Sequence, residues 1–159
     1  MQSPHAAAPE YAETAPGGET DAVPVMSPVV ALVEVATGKL HAVTVTQADL
    51  NYIGSVTIDE DLLDAAGFMP HMIAPITNNA TGAFWTTYII PGARGSGIIS
   101  LNGAPARHFQ PGDKAFIVSH AMVEPAKLKE HGLRVVFVDD KNNVTEVQKQ
   151  SFGGAEKIR

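Results

Sequence analysis

Apolar and polar residues alternate in short runs along most of this chain, with turn residues between the runs. Val29 to Thr37 is apolar, rich in β-branched residues, and stops at Gly38. Leu40, Ala42 and Thr44 then alternate with His41, Val43 and Val45, which predicts a strand over 40–46. Gln47 to Leu50 reads as a turn or a single helical turn. Ile53 to Ile58 reads as a further strand, interrupted by Gly54-Ser55. Asp59 is placed to cap a helix that has Glu60 and Asp61 at its positive end and Gly67 as its stop. Leu62, Leu63 and Ala66 supply that helix with a buried face. Its acidic residues read as a solvated first turn rather than a metal site. More strands are predicted over 70–76, 84–90, 98–101, 114–119, 133–139 and 144–147, and a second short helix over 124–131. Turn residues fall at 78–82, 102–103, 111–113 and 141–143. The glycine-rich loop over 91–97 lacks the Gly-Lys-Ser/Thr ending of a phosphate loop.

Many short strands, tight turns and one or two short helices predict a mainly β protein, a small barrel. Periodicity alone does not give its topology. Residues 1–28 carry almost no bulky apolar side chain before Val23, so they are expected to be a disordered tail, with Met26 an alternative start. The folded domain is expected over 29–147, followed by a polar, frayed segment over 148–159.

Composition narrows the function. A net charge of -6 argues against nucleic acid or an anionic membrane as partner. No apolar run approaches the length of a membrane span. No basic stretch followed by an apolar one marks a secretory signal. Cys is absent, which removes disulfides, thiol nucleophiles and thiolate metal sites, and fits a cytoplasmic protein. The histidines show no metal spacing: His71, His108, His120 and His131 read as exposed loop residues and His5 lies in the tail. No metal is expected.

The candidate chemistry sits at Gly54-Ser55. A Ser hydroxyl can attack the carbonyl just before it and turn an amide into an ester. Glycine suits the attacked position, because without a Cβ it can hold a strained backbone that exposes its carbonyl. Loss of the Ser55 α-proton would then expel the ester oxygen, and hydrolysis would leave a pyruvoyl group. By itself the pair reads as a turn between strands. The context is more specific. Gly38-Lys39-Leu40-His41, Thr46 to Tyr52, Ile58 to Gly67, Thr87-Tyr88, Arg94 to Ala104 and Pro111-Gly112-Asp113 occur in an order and spacing that resembles the aspartate 1-decarboxylase family, over roughly 36–147. These are small, self-processing, pyruvoyl-dependent enzymes.

The resemblance implies a double-psi β-barrel, a homotetramer with active sites between subunits, and cleavage between Gly54 and Ser55. A maturation partner is left open. Ser55 would become the pyruvoyl electrophile, which takes the substrate amine as a Schiff base and replaces pyridoxal phosphate as the electron sink. Tyr88 matches the proton donor and Thr87 the residue that stabilises the oxyanion during cleavage. Lys39 matches a holder of the substrate carboxylate. His41 and Tyr52 match pocket residues, and Asn102, with Gly103 and Ala104, lies near the pyruvoyl. Without that context Tyr88 is a packing residue and Lys39 a surface lysine.

One position departs from the family. Its pattern has an arginine four residues before the tyrosine of the Thr-Tyr pair, and here that position is Phe84, followed by Trp85. No Lys or Arg occurs from His41 to Ala93, so a shift of register cannot restore it; Arg94 and Arg107 are the remaining candidates to substitute. A phenyl ring cannot replace a bidentate guanidinium–carboxylate pair. The family default is L-aspartate to β-alanine, a pantothenate precursor, plus CO₂. Phe84 instead suggests an amino acid with a neutral side chain. A different class remains open as well, an unprocessed barrel that only binds.

Overall fold

The computed structural model describes residues 31–151 and 153–159. The predicted N-terminal tail over 1–28 lies outside them, as do Val29 and Val30 at the start of the expected domain. The described chain is mainly β. Its strands are β1 (Val33–Thr44), β2 (Gln47–Asp49), β3 (Ser55–Asp59), β4 (Ile73–Asn78), β5 (Phe84–Gly92), β6 (Ile99–Asn102), β7 (Lys114–Val123), β8 (Leu133–Val138), β9 (Val144–Ser151) and β10 (Gly154–Lys157). They form one sheet in the order β10-β9-β8-β1-β7-β4-β5-β3-β6-β2.

This sheet curls into a small barrel because β1 and β2 are successive parts of one stretch. Between them, Val45 N–H donates to the Asp113 carbonyl and Thr46 N–H to the Ile99 carbonyl, both at 2.8 Å. The stretch therefore leaves β7 on one side and joins β6 on the other. β3 runs parallel to β5 and β2 parallel to β6, while β1–β7, β4–β5, β4–β7 and β3–β6 are antiparallel. That mixture fits the double-psi barrel the resemblance implied. Leu40, Val56, Ile76, Ile89, Leu101 and Ile117 fill the interior with no exposed surface. Each such side chain contributes roughly 1.5–3 kcal/mol through burial.

The helix α1 (Glu60–Ala66) forms where the capping pattern placed it. Asp59 accepts from Asp61 N–H, and Gly67 ends the helix in the left-handed conformation at φ 72°. Several elements differ from the sequence reading. The segments on either side of Gly38 are one strand, β1, because its register shifts at Ala36/Gly38 and Leu40/Val43 absorb the break in alternation. The turn expected at 47–50 contains β2, fixed by pairing with β6. A 3₁₀ turn over Ala104–Arg107 follows the Asn102-Gly103 corner and was not foreseen. The helix expected at 124–131 is a 3₁₀ helix over Pro125–Glu130. Within the segment over 148–159, expected to be frayed, residues 148–151 complete β9 and residues 154–157 form β10, which pairs antiparallel with it. The polar residues there are those of an exposed edge hairpin. His120 is exposed as expected but lies on β7, where it meets Glu34 at 3.1 Å, and His131 is a loop residue but half-buried, meeting the Ala36 carbonyl at 2.8 Å.

Candidate active site

β5 pairs with β3 only from Ile89 to Gly92, so Trp85 to Tyr88 have no β3 neighbour. The gap opens as a shallow cleft of about 480 Å³, lined also by Leu50, Tyr52, Ile53 and the corner over 102–105. Gly54, Ser55, Thr87, Tyr88, Asn102, Gly103 and Ala104 all line it.

Ser55 opens β3 opposite Asn102 on β6 and is 2% exposed. Its φ is 94° and that of Gly54 is 116°. A serine at positive φ is held against its own preference, which stores on the order of 1–3 kcal/mol at this bond. What holds it is the corner opposite. Gly103 has φ 77° and donates its N–H to the Asp49 carbonyl at 2.6 Å. A Cβ there would sit 3.1 Å from the Gly54 Cα and 3.2 Å from the Tyr52 carbonyl oxygen. Only glycine lets the two loops approach this closely.

The Ser55 hydroxyl has a defined partner. Asn102 Nδ2 donates to Ser55 Oγ at 3.2 Å and to Thr57 Oγ1 at 2.9 Å, and Asn102 Oδ1 accepts from Ser100 Oγ at 2.8 Å. Sequence reasoning missed Thr57 and Ser100. The signal was present in the two-residue period of the strands: Thr57 shares a face with Ser55, and Ser100 shares one with Asn102.

Other expected site residues lie elsewhere on this chain. Lys39 and His41 are on β1, outside the Ser55 cleft. The Lys39 Nζ stands 5.0 Å from the centre of the Phe116 ring, and the His41 ring lies 4.9 Å from Phe116 and 5.0 Å from Phe137. Partial burial, and then the charge of Lys39, lower the His41 pKa. Phe84 is 63% exposed and does not line the cleft. It faces Thr77, which faces Phe116 in turn. Phe84, Thr77, Phe116, His41 and Phe137 thus make a row across the outer face of the sheet. Trp85, not Phe84, lines the cleft.

Arg94 does not replace the missing arginine within this chain. Its guanidinium meets Asp61 at 2.6 Å, Asp64 at 2.7 Å and Glu60 at 3.4 Å, all on α1. Hydrogen bonds to Asp64 and Asp61 raise its pKa further. Arg107 is exposed on the 3₁₀ turn that follows the cleft corner.

Residues 31–145 match the family model described as aspartate decarboxylase. The aspartate 1-decarboxylase of Carboxydothermus hydrogenoformans is 50% identical over 117 residues, which cover 74% of this chain and 92% of that protein. That of Bacillus velezensis is 53% identical over 110 residues, 69% of this chain and 87% of that protein. That of Bacillus subtilis is 51% identical over 110 residues, with the same shares. A match over most of the chain at half identity, on a barrel that presents a strained Gly-Ser bond in a cleft, makes the chain a member of the aspartate decarboxylase family and a decarboxylase.

Proposed function

We propose that this decarboxylase processes itself at Gly54–Ser55 and removes the α-carboxyl group of an amino acid with a pyruvoyl group made from Ser55. The carrying observation is Ser55 itself: a buried serine at φ 94°, next to a glycine at φ 116°, with its hydroxyl held by Asn102 at the wall of a cleft.

The residues fit the group. Its carbon skeleton is that of Ser55 and its ketone oxygen comes from water, and about 480 Å³ lie in front of it for a small substrate. To form it, Ser55 Oγ bonds to the Gly54 carbonyl carbon and the Gly54–Ser55 C–N bond breaks; the hydroxyl proton ends on the freed amine. Thr87, on the cleft wall, supplies a donor to the oxyanion of that step, a role that typically contributes ~3 kcal/mol. The Ser55 α-proton then leaves, the Cβ–Oγ bond breaks, and Gly54 departs as a carboxylate. Water finally displaces the nitrogen as ammonia. Once present, the group supplies a ketone that captures the substrate amine and an electron sink for the pair left by CO₂. Tyr88 holds a phenol proton at the cleft for the substrate α-carbon. Tyr52, Asn102, Gly103 and Ala104 shape the space around the substrate.

By family default the substrate is L-aspartate and the product β-alanine, a pantothenate precursor, made in the cytoplasm. Phe84 supports a second reading, an amino acid with an uncharged side chain, since burying a second carboxylate against a phenyl ring without a cation is costly. Lys39, His41 and Phe84 share one face of the barrel while Ser55 opens on another. That separation supports a homotetramer in which a neighbouring subunit brings the first group to the second.

Intact mass tests the proposal. The wild-type chain should give fragments 1–54 and 55–159, and Ser55→Ala should stay whole and inactive. Borohydride with substrate should label the wild-type 55–159 fragment alone. Cleavage that persists in Ser55→Ala removes the pyruvoyl reading, and a wild-type chain that stays whole leaves the binding barrel.

A further inference from the structure

Behind Ser55, Asn102 is fully used. Its Nδ2 donates to Ser55 Oγ and Thr57 Oγ1, and its Oδ1 accepts from Ser100 Oγ at 2.8 Å. Ser55, Asn102 and Ser100 are 2%, 3% and 4% exposed, and Asn102, Ser100 and Thr57 line a cavity of about 300 Å³. In the uncut chain this arrangement is not unique. A hydroxyl both donates and accepts, so the Asn102 amide could turn either end toward Ser55 and stay satisfied.

The choice disappears when Ser55 Oγ becomes an ester oxygen. It then has no hydrogen and can only accept. An Asn102 Oδ1 turned toward it would set lone pairs against lone pairs. The Nδ2 end must therefore face Ser55 and Oδ1 must face Ser100, whose hydroxyl must donate. Among the hydrogen bonds of the described residues, Ser100 is the one side chain that supplies Oδ1 with a proton. The next step needs this orientation most. As the Ser55 α-proton leaves and the Cβ–Oγ bond breaks, the electron pair stays on Oγ and becomes part of the Gly54 carboxylate. An N–H aimed at Oγ stabilises that charge, and a carbonyl aimed at it opposes it.

We infer that Ser100 is a positioning residue for maturation, which locks the Asn102 amide so that its N–H faces Ser55 Oγ during elimination from the ester. This rests on the self-processing reading above. It assigns Ser100 to the second step, after the ester has formed, and not to the attack.

The test follows full-length wild type, Ser100→Ala and Ser100→Cys by intact mass, with and without hydroxylamine, which splits esters and leaves amides. Ser100→Ala is expected to form the 1–54 and 55–159 fragments about tenfold more slowly, the effect of one buried hydrogen bond. Its uncut chain should be split by hydroxylamine, with Ser left at the new N-terminus. Ser100→Cys, a weaker donor of similar size, should fall between the two. Loss of packing alone would slow maturation without enriching the ester. Thermal unfolding checks that the Ala variant is folded; if it is not, the Cys variant is held to the same expectation against wild type. Maturation of the folded variant at the wild-type rate, or an uncut chain that resists hydroxylamine, overturns the inference while leaving self-processing intact. A wild-type chain that is itself whole and resistant to hydroxylamine overturns both.

Discussion

At Ser55 a backbone at positive φ meets a hydroxyl held by Asn102, and in the proposed function the neighbours divide the later work. Thr87 and Tyr88 are adjacent on β5 and both line the cleft, yet they serve different stages in the proposed function. Tyr88→Phe removes a proton and little volume. Its chain should still form fragments 1–54 and 55–159, and the matured protein should turn over ~10²–10⁴-fold more slowly, the usual cost of losing a general acid. Mass spectrometry and single-turnover kinetics on the same sample separate the two stages; wild-type turnover in Tyr88→Phe would assign the proton to another group. The Gly54-Ser55, Thr87-Tyr88 and Asn102-Gly103 pairs were legible in the sequence through the family resemblance, since alone each reads as a turn or a packing pair. Ser100 and Thr57 were not. They are ordinary strand hydroxyls, and they matter only because β3–β6 pairing sets Ser55 against Asn102 and Thr57 against Ser100.

α1 and the glycine-rich loop before β6 are joined by one buried carboxylate. Asp59 Oδ1 accepts from Asp61 N–H at 2.8 Å and Gly95 N–H at 3.1 Å, and Oδ2 accepts from Gly97 N–H at 2.6 Å. The side chain caps the helix and also terminates the loop, at 3% exposure. Removing it leaves three N–H groups to find other acceptors. Asp59→Ala should therefore lose about 2–4 kcal/mol, more than a cap alone, in urea unfolding with the slope unchanged. Arg94 grips the same helix through three carboxylates, but in solvent, where such pairs contribute little, so Arg94→Ala should shift the midpoint far less. The helix was readable in the sequence because its stop and start signals are local. β1, β2 and β10 were not, since their extent is decided by pairing: β1 continues through two register shifts, and β2 is a three-residue strand held by β6. A period-two pattern carries no record of either.

The barrel sets two groups of candidate residues on different faces, and this frames the substrate question. Ser55, Tyr52, Thr87, Tyr88 and Asn102 surround the cleft, whereas Lys39 and His41 stand among Phe116 and Phe137 in the row that ends at Phe84. The resemblance implied both groups and an active site between subunits, but not which group stands on which face, because sequence order does not show which side of a strand faces which neighbour. In the tetramer proposed here, Lys39 and Phe84 enter a neighbour's site together. Lys39 then offers one cation, and the place of a second is taken by an exposed phenyl ring beside other aromatic side chains. A substrate with one carboxylate and an uncharged side chain satisfies that surface; aspartate leaves its second carboxylate against the rings. On fully matured protein, competition between equal aspartate and neutral L-amino acids should give at least one neutral substrate a kcat/KM that matches or exceeds that of aspartate. Phe84→Arg should move the ratio toward aspartate by up to about 10²-fold, the worth of a well-formed ion pair in a desolvated pocket. The gain will be smaller if the surrounding rings do not hold the guanidinium in a bidentate pose. Because Phe84 is exposed on the isolated chain, the substitution should leave folding and cleavage at Gly54–Ser55 unchanged, so a shifted ratio reports on the pocket alone. Strong preference for aspartate in the wild type would mean that Arg107 or another cation of the assembly reaches the side-chain end of the site, and that Phe84 lies outside it.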